Sequence, residues 1–194
     1  MDFFVGTYTR MGGPGIAACS LETGKIVLRY TQDLPNPTYV ILNAKQDRLY
    51  AVSSDSASGG PGGSAAAYAI KAGGLQLLAR HDTVGAGPCH LCLSADERFL
   101  YTANYGAGSL SVFPVGANGA IGGQIQHIQH EGKSVHPTRQ TGPHAHQVTF
   151  IPGTSLLCAI DLGLDAVMVY EQAPKTGLLT LHDRLEVEIG RAHV

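Results

Sequence analysis

The stretch Pro88-Cys-His-Leu-Cys-Leu-Ser-Ala-Asp-Glu-Arg-Phe-Leu-Tyr101 decides the fold. It opens on a turn, runs through a short apolar segment, turns again at Ser94-Ala-Asp-Glu97 and stays apolar to Ala103. Short runs of β-branched and aromatic residues bounded by Gly, Pro, Asn and Asp read as strands. The pattern recurs along the chain. Pro37 to Pro88 is 51 residues, Pro88 to Pro143 is 55, and Tyr50 to Tyr101 is again 51. A period of about 50 residues with four strands per unit marks an all-β fold, a β-propeller of four-stranded blades.

Working outward, units fall at about 3–30, 37–81, 88–130 and 143–186, which gives about three and a half blades. Expected strands include Phe3-Phe-Val-Gly-Thr-Tyr8, Gln124-Ile-Gln-His-Ile128, His146-Gln-Val-Thr-Phe150 and Leu178-Leu-Thr-Leu181. The run Ser56-Ala-Ser-Gly-Gly-Pro-Gly-Gly63 reads as a flexible loop. Blades bury their faces against neighbours, so an open set leaves two apolar end faces in water. Residues 1–188 form one partial propeller domain. The ending Ile189-Gly-Arg-Ala-His-Val194 continues no strand pattern and reads as a sequencing artefact.

The composition bounds the function. Of 194 residues, 44% are apolar and 14% charged, and the net charge of −2 lacks the basic face that nucleic-acid binding requires. No apolar run reaches the roughly 18 residues of a membrane helix, and the N-terminus has no leader pattern, so a cytoplasmic location is the default. Oligomeric state is not readable. Cys89 and Cys92 form a C-x-x-C, but on a strand positions i and i+3 face opposite sides, and no second pair completes a zinc site. Buried, reduced cysteines are expected at Cys19, Cys89, Cys92 and Cys158. The histidines include His127, His130 and His136, but no acid–histidine spacing of a metal site accompanies them, so neither metal nor cofactor is expected.

Several stretches together resemble the lactonase family of seven-bladed propellers, which includes propeller-type 6-phosphogluconolactonases and carboxy-muconate lactonising enzymes. They are Gly6-Thr-Tyr-Thr9; Pro88-Cys-His90; Ser94-Ala-Asp-Glu-Arg-Phe-Leu-Tyr101; Ala103-Asn-Tyr-Gly106; Arg139-Gln-Thr-Gly-Pro-His-Ala-His146; and Asp161-Leu-Gly-Leu-Asp165 with Val169-Tyr170. The resemblance implies a ring about twice this length and a metal-free site at the channel mouth. It implies His90 and Arg139 as catalytic residues and His144 and His146 as its Pro-His-x-His motif. It gives Asn104 and Asp161 structural roles. It also places an Asn-Glu-Leu acid and a further arginine in later blades, so this length alone is expected to be inactive.

The residues suit that chemistry. Lactone opening needs an activated water and a partner for the oxyanion. Histidine titrates near neutrality, and arginine donates two parallel hydrogen bonds to an anion. His90 is the expected base and Arg139 the anchor or oxyanion donor. His144 and His146 share a strand face and bind substrate, with at least one of them structural. Lys133 and Arg139 flank one loop and are placed to hold a phosphate. The expected partner is a small lactone, most of all 6-phosphogluconolactone. A muconate-type lactonising cycloisomerase and a non-enzymatic propeller scaffold are the alternatives. A scaffold has no reason to gather imidazoles beside an arginine.

Overall fold

The computed structural model describes residues 2–187; the expected artefact at 189–194 lies outside them. The described chain forms fifteen strands and one short 3-10 helix, Thr9–Met11. The first sheet is β1 (Asp2–Gly6), β2 (Ile16–Glu22) and β3 (Lys25–Gln32), joined in that order. The second is β4 (Val40–Leu42), β5 (Arg48–Ser53), β6 (Ser64–Lys71) and β7 (Gly74–Asp82). The third is β8 (Pro88–Leu93), β9 (Phe99–Asn104), β10 (Ser109–Pro114) and β11 (Gln126–Gln129). The fourth is β12 (Ala145–Phe150), β13 (Leu156–Asp161), β14 (Ala166–Gln172) and β15 (Leu179–Glu186). All pairings are antiparallel meanders, as blades require.

The core lies between sheets, not within them. One apolar cluster joins the first and second sheets through Ile16, Leu49, Ala66 and Tyr68. Another joins the second and third through Val52, Ala65, Ala67, Leu91 and Phe113. The largest joins the third and fourth through Tyr101, Leu110, Val112, Val148, Leu157 and Met168. The alanines of β6 are buried on both faces, and their small side chains let sheets on either side approach. Each fully buried large apolar side chain contributes about 1.5–3 kcal/mol.

A tyrosine fastens one blade to the next at matching positions. Tyr50 on β5 donates its hydroxyl to the Gly119 carbonyl of the third sheet at 3.0 Å, and Tyr101 on β9 donates to Gly177 of the fourth at 2.9 Å. The 51-residue spacing of these tyrosines is therefore the spacing of an inter-blade contact. Both acceptor glycines have positive φ, 82° and 73°, which a turn tip built on glycine accommodates.

The outer side of the first sheet is apolar. Val5, Leu21, Ile26 and Leu28 are exposed on the outer side of the first sheet, and Leu185 on that of the fourth.

Several expectations shift. β1 stops at Gly6 because the Thr7 hydroxyl bonds both the carbonyl and the N–H of Gly15 and turns the chain. β15 runs to Glu186, well past Leu181. β11 starts at Gln126 and not Gln124. The glycine-rich loop is tied at its base. Asp82 accepts from the Ser56 hydroxyl and the Ala57 and Ser58 N–H groups, and Arg80 donates to the Asp55 carbonyl at 2.7 Å. The first sheet has three strands where the other three have four.

Candidate active site

The inner strands β4, β8 and β12 carry the site. Register shows which of their residues correspond. His90 lies opposite Ala103, and Pro88 opposite Asn104, with Cys89 left over between them. In the next blade Gln147 lies opposite Ile160, and Ala145 opposite Asp161, with His146 left over. Each strand thus opens on a β-bulge, a device that re-aims side chains beside functional sites. The blade marker Pro88 corresponds to Ala145, not Pro143. Tyr39, whose carbonyl accepts from Val52, holds in the second sheet the place of His90.

His90 is half-buried against Tyr39, with ring centroids 4.0 Å apart. Its Nδ1 accepts from the Val148 N–H across the seam at a long 3.5 Å. Burial lowers its pKa to about 4, and the neighbouring imidazole of His146 pushes the same way. His90 is therefore neutral at pH 7.

His144 is held from three sides. Its N–H donates to Asp161 Oδ1 at 2.7 Å, its ring Nδ1 meets the Tyr105 carbonyl at 3.0 Å, and its face stacks on the Tyr105 ring at 4.6 Å. His146 is exposed and stands edge-on to the same tyrosine at 5.8 Å. Tyr105 thus packs between the third and fourth blades, with both histidines against its ring.

The loop 130–144 carries Arg139, which is exposed. Its N–H donates to His136 Nδ1 at 3.2 Å, and Gln140 Nε2 ties the loop to the Leu162 carbonyl at 2.8 Å. The structure does not bring Lys133 to the imidazoles. Lys133 lines a groove with Ser134, Asp165, Arg184 and Glu186, and neither His90 nor His144 reaches it.

A buried chain of groups underlies the site, and the sequence reading missed two of its members. Asp161 accepts from the Gly163 and Leu164 N–H groups at 2.9 and 3.1 Å and so caps the turn that follows β13. Its Oδ2 meets His130 Nδ1 at 2.7 Å, and His130 Nε2 meets the Tyr170 hydroxyl at 3.0 Å. Asn104 is also structural. Its amide donates to the Ser109 and Ser111 hydroxyls inside the third sheet.

The cysteines correct the expectation of four buried thiols. Cys19 is buried, Cys89, Cys92 and Cys158 are partly buried, and all four are free. The alternation argument fails at Cys89, because the bulge turns its sulfur onto the His146 carbonyl at 3.3 Å. Cys92 packs on the same seam. Burial raises their pKa values to about 11 and about 12. Among the described residues no group of three His, Cys, Asp or Glu is arranged to hold a metal ion. A charged cleft of about 380 Å³, lined by Lys45, Arg48, Asp96 and Arg98 among others, lies at the opposite ends of β4 and β8 from the histidines.

Residues 2–192 match the family model described as lactonase, 7-bladed beta-propeller. The chain belongs to the lactonase family. Within it, the chain is 36% identical over 182 residues to a protein named 6-phosphogluconolactonase from Bacillus subtilis (strain 168), covering 91% of this chain and 50% of that one. It is 32% identical to an uncharacterized protein of Staphylococcus saprophyticus, covering 96% of this chain and 54% of that one. The solved structure of the Pseudomonas aeruginosa periplasmic gluconolactonase superposes with a TM-score of 0.87 at 30% identity, covering 96% of this chain and 55% of that one. This lactonase-family chain thus spans about half the length of the curated relatives it matches.

Proposed function

We propose that the complete protein carrying this chain hydrolyses a sugar lactone, with 6-phosphogluconolactone as the first substrate to test. The observation that carries the reading is the gathering of His90, His144 and His146 at one end of two consecutive inner strands. Arg139 lies on the loop leading into them. The names of the Bacillus and Pseudomonas relatives support lactone chemistry. An imidazole takes a proton from water, and the nearby N–H donors and the Arg139 guanidinium meet the oxyanion and any phosphate or carboxylate on the sugar.

Four free thiols suit a reducing compartment, which supports a cytoplasmic location, although one solved relative is named periplasmic. No helix among the described residues is long and apolar enough to cross a membrane. Continuous titration of acid released from 6-phosphogluconolactone and from unphosphorylated gluconolactone tests the proposal. Turnover above the spontaneous rate supports it, with the ratio reporting the need for phosphate. No acceleration of either lactone refutes it.

A further inference from the structure

The geometry points to His144, and not His90, as the base that takes the proton from the attacking water, with His90 serving as a hydrogen-bond donor to the oxyanion. The inference rests on the lactonase reading and assigns roles within that site. It follows from which nitrogen of each ring can carry a proton.

The partner of His144 Nδ1 is the Tyr105 carbonyl at 3.0 Å. A carbonyl only accepts, so Nδ1 must hold the hydrogen, and the Nε2 lone pair is left as the ring's acceptor. The partner of His90 Nδ1 is the N–H of Val148 at 3.5 Å. An amide N–H only donates, so Nδ1 must be bare, and the neutral ring presents an N–H at Nε2. Two imidazoles, one on β8 and one just before β12, are thus set in opposite tautomers, one ready to accept and the other ready to donate.

The surroundings hold both arrangements. His144 cannot swing away, because its N–H is fixed to Asp161 and its face is stacked on Tyr105. The ionisable groups around it are Asp161 at its backbone, the Tyr105 ring beneath it, and His146 two residues on, at the bulge of β12, so the shared strand face expected of the two histidines is not formed. His90 is packed between Tyr39 and β12, where burial favours the neutral ring, and a neutral ring donates without losing a proton.

The step balances without a further reactant. The water oxygen bonds to the lactone carbonyl carbon, its proton passes to His144 Nε2, and the carbonyl electron pair becomes an oxyanion facing His90 Nε2–H. Collapse re-forms the carbonyl and breaks the ring C–O bond. The departing ring oxygen takes the proton back from His144, and the product acid ionises.

Two measurements on the complete protein test the assignment. Long-range ¹H–¹⁵N correlation spectra report the tautomer of each ring near pH 7.5. Nδ1–H at His144 and Nε2–H at His90 are expected, and Nε2–H at His144 overturns the inference. In kinetics, His144→Gln is expected to lower kcat about 10²–10⁴-fold with KM nearly unchanged and to abolish the acidic limb of the pH–rate profile. His144→Ala is expected to recover turnover with free imidazole. His90→Gln keeps an N–H donor and is expected to retain that limb. If His90→Gln removes the limb and His144→Gln keeps it, the roles are the reverse. Lack of lactonase activity in the unsubstituted protein would instead refute the function and with it the catalytic roles, while the tautomer spectra would still test the opposite proton placements separately.

Discussion

His130 and Asp161 meet at 2.7 Å across the seam between the third and fourth sheets, with side chains 1% and 0% exposed. The same carboxylate accepts three backbone N–H groups, one of them from His144. One buried acid therefore joins the blade seam to the mouth loop. Removing the carboxylate leaves its buried donors without an acceptor, at a cost of several kcal/mol, about 1–3 for each buried group left unsatisfied. Asp161→Ala is expected to lose that much in urea unfolding. Tyr170→Phe removes only the outer hydroxyl and is expected to lose about 1 kcal/mol. Equal losses from the two variants would show that the carboxylate is not the hub.

The tyrosine fastenings give a second expectation. Tyr50 and Tyr101 donate across different seams, so their contributions are independent. Tyr50→Phe and Tyr101→Phe are each expected to cost about 1 kcal/mol, and the double variant about the sum. Strong non-additivity in chemical denaturation would mean that the seams move together.

Gly163 sits where a side chain cannot. A Cβ there would run into the Gly142 carbonyl and would lie 2.8 Å from the N of His144. Gly163→Ala must therefore push the mouth loop away from the 161–164 turn. The expected result is a clear loss of Tm and, in the complete protein, a fall in kcat beyond what the change in folded fraction explains. A variant with unchanged stability and turnover would show that the loop yields freely.

The pH dependence of stability follows from His90. Its folded pKa is lowered from 6.5 to about 4, by burial first and by His146 second. The unfolded chain therefore takes up a proton at this position at higher pH than the folded one, and stability falls as pH drops from about 6.5 to about 4. His90→Gln should flatten the denaturation midpoint over that window. An unchanged slope would assign the loss to other groups.

Much of the fold is legible in the sequence, because a blade repeats local signals. The turn at Ser94-Ala-Asp-Glu97, the apolar strands on either side and the recurrence of Tyr50 at Tyr101 are all visible in one dimension. The cluster at the mouth is legible for the same reason, since His144 and His146 lie in one short stretch leading into β12. The rest depends on pairings that no local pattern records. His130 meets an acid 31 residues away, and nothing beside it in sequence distinguishes it from His127 or His136. Closeness in sequence is no guide for Lys133 either: six residues from Arg139, it lines a groove with Asp165 and Arg184. The bulges also escape, because one unpaired residue changes facing without changing composition.

The paired bulges have an evolutionary consequence. In β8 the extra residue is Cys89, and in β12 it is His146, while the ladders on either side continue in step. The extra position is uncoupled from the sheet's alternation, so a change there leaves the facing of its neighbours as it is, while in β8 the Cys89 side chain itself still touches the carbonyls of β12. These two inner strands thus each carry, at their opening, one residue outside the alternation of the sheet. Point changes at these two positions therefore alter what the strand openings present while the paired ladders behind them keep their register.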